Sequence, residues 1–418
     1  MTKPEILFLA HRIPYPPDKG DKIRSWALLK YFASRFRVHL VCFVDDPSDF
    51  KHEEFLCSIC DTVALVPLNP AWKRVMSAGA FIRGEPLSFR YFDSSKMDMA
   101  VARARSRPLV MEFAFSSAMA RFIEKPVQGR KRIIDFCDAD SEKWLQYSET
   151  SILPMSWLYK RESRLLRNEE TKAVNWADVS FAVTADEATL FNRRSSIKKS
   201  VAVLPNGVDT DRFDPSGVSP GNELSCDLIF TGAMDYHANV EGVIYFLEEV
   251  WPLVRSEKPD ANFAIVGSNP VKKIRDHHGQ NGIIVTGRVD DIRPYLAGAK
   301  IAVAPLRVAR GVQNKVLEAM AMAKPVVASI EAMTGIGAPK EAAIAASSSQ
   351  EIADSILALI DDECRREQLG NNARNFVKET FGWAASYAQL DRTLEDLDVY
   401  SSSSSEPDST PSVSSETR

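Results

Sequence analysis

GVQNKVLEAMAMAKPVV, residues Gly311 to Val327, runs a small polar loop directly into an amphipathic helix that carries a charged pair. Gly311 lets the backbone approach a ligand closely. Free amides at a helix N-terminus, with the helix dipole behind them, make a site for a phosphate. Lys315 and Glu318 lie three residues apart and so share one face, the cation toward the phosphate end and the carboxylate one turn deeper. The same pair also reads as an exposed helical ion pair of little worth. Its place in the chain decides between the two.

Upstream, Leu228–Thr231 leads to Gly232-Ala233-Met234 and a helix from Asn239 to Val254. Phe263–Val266 leads to Gly267, Ile283–Thr286 to Gly287-Arg288-Val289, and Ile301–Ala304 to Pro305-Leu306-Arg307. Successive strands emptying into small or basic loops describe the nucleotide-binding face of an open α/β sheet, where ligands sit outside the carboxyl ends of the strands. The Gly311 loop is next in order, so Glu318 reads as a ligand-holding residue. Neither a G-x-G-x-x-G nor a P-loop is present: Gly335-Ile336-Gly337 has Lys340 where the third glycine would stand. Ile344–Ala346 reads as a last strand, followed by helices over Gln350–Ile360, Cys364–Thr380 and Trp383–Leu397.

The first half has the same alternation. Ile6–Leu9 is a buried strand emptying at His11 into a loop that is rigid at Pro14-Tyr15-Pro16-Pro17 and flexible at Asp18-Lys19-Gly20-Asp21. A helix is expected over Ile23–Phe32, with Asp21 either a ligand-side residue or its N-cap. Val38–Val44, Val63–Val66, Leu109–Phe113, Arg132–Phe136 and Asp178–Ala182 read as further strands. Arg132–Phe136 runs on into Cys137-Asp138-Ala139-Asp140, placing carboxylates where a strand meets a cleft. Asp-x-Asp patterns arise readily by chance, Asp209-Thr210-Asp211 being another, and no metal is assigned. Trp72–Phe92 is basic and aromatic but broken by Gly79, Gly84 and Pro86, so it reads as surface helix plus loop, with a membrane interface as the rival. Met155–Ala173 is a charged helix, most simply a solvated face, with a membrane-facing basic face as the alternative.

At 418 residues the chain exceeds one ordinary core, and 45% apolar with 26% charged residues is globular. The first apolar run is too short to span a membrane. The six cysteines are scattered, as suits reduced thiols. Cys57-x-x-Cys60 lacks the second pair a zinc site needs and reads as helix packing. Residues 1–204 carry 32 Lys plus Arg against 25 Asp plus Glu, whereas the remainder carries 20 against 31. The basic half could face an anionic membrane or a phosphorylated acceptor. A break at Pro205-Asn206-Gly207 divides the chain into 1–205 and 206–382, with a final helix over 383–399 and a disordered Ser-rich tail over 400–418.

The stretches PYPPDKGDKIR (Pro14–Arg24), DFCDADSEKW (Asp135–Trp144), LPNGVD (Leu204–Asp209), FTGAMDYHANVEG (Phe230–Gly242) and NKVLEAMAMAKPVV (Asn314–Val327) resemble the retaining family 4 glycosyltransferases, group 1, of the GT-B fold. The subgroup they look like is that of the sugar transferases associated with the PEP-CTERM/exosortase exopolysaccharide system. The resemblance implies two Rossmann-like doubly wound domains facing a cleft, a nucleoside diphosphate sugar as donor, and no cofactor or metal. It further implies a lipid-linked or growing saccharide as acceptor and a cytoplasmic protein with peripheral membrane contact through its basic half. Nucleic acid is not an expected partner.

By that resemblance Glu318 holds the ribose, the amides of Gly311 and Val312 meet the diphosphate, Gly287, Arg288 and Val289 lie beside the base, and Gly232, Ala233 and Gly267 form turns near the phosphates. The loop of Asp18, Lys19, Gly20, Asp21 and Arg24 faces the acceptor, and the final helix packs back on the first domain. Three departures stand out. Arg310 replaces a glutamate that contacts the donor sugar. Met234 and Asn239 replace the basic pair on the diphosphate, leaving Lys315, Arg307 and Arg310 as substitute cations. The usual first-domain histidine is missing, with Asp138, Asp140 or His11 as the nearest candidates. Two rival functions remain, a nucleotide-sugar 2-epimerase and a non-catalytic nucleotide-sugar sensor.

Overall fold

Apolar runs buried on both faces favour parallel strands flanked by helices, and the computed structural model, which describes residues 3–69, 84–195, 200–219, 225–309 and 311–399, contains two such sheets. The chain divides into two compact units, Met1–Pro205 with Tyr387–Arg418, and Asn206–Ser386.

In the first unit, β1 (Glu5–Ala10), β2 (Arg37–Val44), β3 (Thr62–Pro67), β4 (Leu109–Phe115), β5 (Lys131–Asp135), β6 (Val179–Ala182) and β7 (Ala202–Val203) form a parallel sheet in the order β3-β2-β1-β4-β5-β6-β7. The order reverses between β1 and β4, so a crevice opens where His11 and Ser116 leave the sheet. Phe8 of β1 stacks on Phe113 of β4 with ring centroids 5.1 Å apart, and Phe32 of the helix α1 (Gly20–Arg35) closes on Phe113 at 4.9 Å. From the chain's last helix, Tyr387 donates to the Ala27 carbonyl (3.1 Å) and stacks on Tyr31, while Asp391 accepts from Tyr31 Oη (2.7 Å) and Arg35. Leu390 and Leu394 are fully buried there.

In the second unit, β8 (Cys226–Thr231), β9 (Phe263–Val266), β10 (Ile283–Gly287), β11 (Ala299–Ala304), β12 (Val326–Ser329) and β13 (Ile344–Ala346) are ordered β10-β9-β8-β11-β12-β13. The reversal falls between β8 and β11, and the helix Asn314–Ala321 follows β11.

Several local expectations change. Strand β7 ends at Val203, just before the break at Pro205, which has no amide to continue the ladder. The helix expected over Asn239–Val254 is His237–Tyr245, a π turn Phe246–Val250, then Trp251–Glu257, with Pro252 at the restart. Strand β12 carries no periodicity to announce it, being four residues buried on both faces. Of the C-x-x-C pair, Cys60 is buried but Cys57 is exposed, so only one packs. Residues 70–83 of the aromatic segment, the Ser-rich tail and Arg310 lie outside the described residues.

Candidate functional site

Three strand ends of the second unit are bonded into one rim. Gly232 N donates to Val266 O (3.1 Å), Gly267 N to Gly287 O (3.2 Å) and Met234 N to Ser268 O (2.7 Å). A Cβ on Gly267 would stand 1.7 Å from the Gly232 carbonyl oxygen, so only glycine lets the β8 and β9 turns meet this closely.

Lys315, from the first turn of the helix Asn314–Ala321, reaches across this rim. Its Nζ donates to Asn239 Oδ1, and Asn239 Nδ2 donates in turn to the Ala233 carbonyl (2.8 Å). The ammonium lies 4.9 Å above the Phe230 ring. Burial brings Lys315 down from 10.5 to about 8, opposed by the charge of Glu318. Asn239, which stands where the resemblance implies a basic residue on the diphosphate, is itself buried and tethers Lys315.

The Gly311–Val312 peptide that opens the helix rests on backbone. Gly311 takes a left-handed φ of 58°, and a Cβ on Gly335 would lie 2.3 Å from its carbonyl oxygen and 3.0 Å from Val312 N. Gly335, legible beforehand only as part of a failed dinucleotide motif, is thus the platform under the loop. The first intrahelical bonds run from Val316 and Leu317 to Gln313 O, so the amides of Asn314 and Lys315 precede them. Asn314 Oδ1 is buried with no hydrogen-bond partner among the described residues.

Glu318 is half-buried one turn deeper. Burial pushes its carboxyl up from 4.5 to about 7, with Arg212 and Lys315 opposing. Arg212 carried no signal in the sequence beyond its charge. Its segment is held by Arg212 N donating to Asp209 Oδ1 (3.0 Å) and by Arg293 Nη1 donating to the Arg212 carbonyl (3.0 Å). Arg293 also grips Asp291 bidentately. Beside it, an open polar depression is lined by Thr286, Arg288, Val289, Asp290, Asp291 and Tyr295. Arg307 is exposed, its guanidinium 5.5 Å from the Tyr245 ring centre.

In the first unit, Asp18, Lys19 and Gly20 are exposed, and Lys19, not Asp21, is the cap of α1. Asp21 turns to the end of β1, accepting from Arg12 Nη1 (2.6 Å) and lying 3.2 Å from His11 Nε2. Burial alone would raise Asp21, but the His11 hydrogen bond and the Arg12 charge hold it well below the usual carboxylate range. His11 stacks on Phe115, and its Nδ1 is buried without a hydrogen-bond partner among the described residues. Asp140 accepts from Ser117 Oγ (2.7 Å), whereas Asp138 is exposed next to Cys137, which takes a left-handed φ of 63°. Burial raises Asp140 above its ordinary range, with the Asp138 charge adding to it. Arg24 departs from its expected place: at 1% exposed it pairs with fully buried Asp135 (Nη2 to Oδ2, 2.7 Å) and donates to Leu204 O (2.8 Å), so it does not reach the exposed loop.

Residues 225–362 match the sequence model of the family described as Glycosyl transferases group 1. A GDP-mannose-dependent monoacylated alpha-(1-6)-phosphatidylinositol monomannoside mannosyltransferase of Corynebacterium glutamicum is 26% identical over 215 residues, 46% of this chain and 55% of that protein. The chain spans about half the length of the curated relatives it matches. Among solved structures, sucrose-phosphate synthase from Thermosynechococcus elongatus superposes with a TM-score of 0.66 at 16% identity, covering 95% of this chain and 99% of that one. Anabaena HepE in complex with UDP and glucose superposes at 0.64 with 14% identity, covering 93% and 99%. The two parallel sheets with their helices are those of the GT-B fold. Among the described residues, no helix is long and apolar enough to cross a membrane.

Proposed function

We propose that this GT-B chain is a retaining glycosyltransferase of group 1 that moves a sugar from a nucleoside diphosphate sugar to a hydroxyl of a lipid-linked or growing saccharide. The carrying observation is the chain of contacts from Lys315 through Asn239 to the Ala233 turn, which sets a half-buried cation over the switch point of the second sheet beside the open Gly311–Val312 loop. Anion chemistry is favoured there, because a desolvated ammonium gains most from a negatively charged partner. Glu318, one turn deeper, is suited to accept from ribose hydroxyls, and the depression around Arg288 and Val289 to receive the base.

In the transfer, the bond from the anomeric carbon to the diphosphate oxygen breaks and the acceptor oxygen bonds to that carbon on the same face. The acceptor proton passes to the leaving oxygen. Charge grows on that oxygen, and Lys315, the Gly311 and Val312 amides and Arg310 would stabilise it without a metal. His11 and Asp140, beside the switch point of the first sheet, are assigned to the acceptor side with the exposed Asp18–Gly20 loop, and Asp138, in the turn after β5, is assigned a catalytic role. A role in exopolysaccharide synthesis of the PEP-CTERM/exosortase type, and peripheral attachment to a membrane, rest on the sequence resemblance.

The test is incubation with UDP-, GDP- and ADP-sugars, with and without lipid extract. Acceptor-dependent release of nucleoside diphosphate is expected. Acceptor-independent isomerisation of the donor, or binding without turnover, refutes the transferase reading.

A further inference from the structure

The helices Asp140–Thr150 and Met155–Trp176 of the first unit are joined by a short turn, Ser151-Ile152-Leu153-Pro154, and pack side by side as a hairpin. Its tip exposes several large apolar side chains together. Ile152 is 86% exposed and Leu153 77%, and Trp157, at 57%, and Met155 continue the apolar surface onto the second helix. Ser156 Oγ donates to the Ser148 carbonyl (2.7 Å), so the turn is anchored in this conformation. Behind the tip, Trp144, Tyr147 and Tyr159 form a cluster with ring centroids 5.3 to 6.0 Å apart.

Charge on the second helix is sorted by face. Glu162 and Glu170 are buried, Glu162 accepting from the amides of Leu87 (2.7 Å) and Ser88 (2.8 Å), and Glu170 from Ser141 N (2.9 Å). Lys160 and Arg164 point outward and, at spacings of three and seven from Trp157, lie on its face of the helix. Exposed Lys143 adds a cation on the first helix, against exposed Glu149. Aliphatic side chains at a protruding tip, Trp and Tyr behind them and cations behind those is the order of a bilayer surface crossed from acyl chains to headgroups. An apolar tip of four side chains is still too small for a stable protein interface, which needs roughly 800 Å² from each partner.

We propose that the Ile152–Trp157 tip is a membrane-docking element: Ile152 and Leu153 enter the acyl boundary of a bilayer, and Lys160 and Arg164 meet anionic headgroups. The proposal gives the acceptor side of the proposed function a place at the lipid surface, and its clause on lipid-linked acceptors rests on that reading. Lipid binding is read without turnover, so either idea can fail alone.

The experiment is co-sedimentation of the full chain with phosphatidylcholine vesicles, with and without phosphatidylglycerol. The wild type is expected to bind the anionic vesicles, and Ile152→Ser with Leu153→Ser to lower partitioning at least about tenfold, the scale of losing about two buried methylene groups. Lys160→Ala with Arg164→Ala should remove most of the salt-sensitive part and leave neutral-vesicle binding unchanged. Unchanged melting temperatures confirm that the variants fold. Failure of the wild type to bind either vesicle, equal binding by the Ser variant, or a dimer that the Ser variant dissolves would each overturn the proposal. Nucleoside diphosphate release with a water-soluble acceptor, retained by the Ser variant, separates docking from catalysis.

Discussion

Replacing Glu318 by glutamine should make the free protein more stable and the enzyme worse, with both effects confined to one side of neutrality. Burial raises this carboxyl from 4.5 to about 7. A raised carboxyl means that the fold prefers the neutral form. Its stabilising contribution is complete below the unfolded value of 4.5 and is lost as pH rises through about 7. A rise of about 2.5 pH units corresponds to at most about 3 to 4 kcal/mol, and solvent screening of a half-buried group reduces this to about 1 to 2 kcal/mol. Glu318→Gln, neutral at every pH, regains that amount near pH 8 and almost nothing near pH 4, a rise of several degrees in melting temperature at the higher pH only. In catalysis the ionised carboxylate is the useful form. The variant should lose a charged hydrogen bond of about 1.5 to 3 kcal/mol, a ten- to hundredfold drop in kcat/KM for the donor. The wild-type kcat/KM profile should rise through about 7 as Glu318 ionises and fall through about 8 as Lys315 deprotonates. Glu318→Gln should flatten the rising limb. A persisting acid limb, or a change in kcat/KM below about threefold, refutes the assignment.

The tether of Lys315 is testable by a double-mutant cycle. Lys315→Ala should lower kcat about a hundredfold, with Asn239→Ala costing less and the double variant no worse than Lys315→Ala alone; a loss confined to KM argues against a leaving-group role. Gly335→Ala places a Cβ 2.3 Å from the Gly311 carbonyl oxygen, where only backbone can yield. Its cost should be about 1 to 3 kcal/mol by denaturant titration, with a clear rise in donor KM, and wild-type values for both would show that the loop does not rest on this glycine. In the first unit, Arg24→Leu strands Asp135 in the core and should cost about 3 to 5 kcal/mol, much of which Asp135→Leu in the same chain restores. An unchanged melting temperature in the single variant sinks that account.

Much of the architecture was legible along the chain. Strands buried on both faces announce themselves as apolar runs, and Gly232, Gly267 and Gly287 mark where β8, β9 and β10 end. Lys315 and Glu318 were found because helical spacing alone puts them on one face. Strand β12 gave no separate signal, because its four residues follow the apolar helix Asn314–Ala321 after only a short break.

Periodicity and helical spacing are local properties, and the amino-acid sequence by itself determined what they govern: the α/β alternation, the loops at the strand ends and the charged helix at Gly311. Strand order and the partners of buried polar groups were decided only by tertiary structure. Asn239 and Lys315 are 76 residues apart, and Arg24 and Asp135 are 111 apart. Nothing in either local pattern says that the first pair forms a tether or that the second turns an expected acceptor-side arginine into the core. Gly335 supports Gly311 for the same reason: close backbone approach is a property of two segments brought together, and a glycine in one of them shows only that such an approach is sterically allowed.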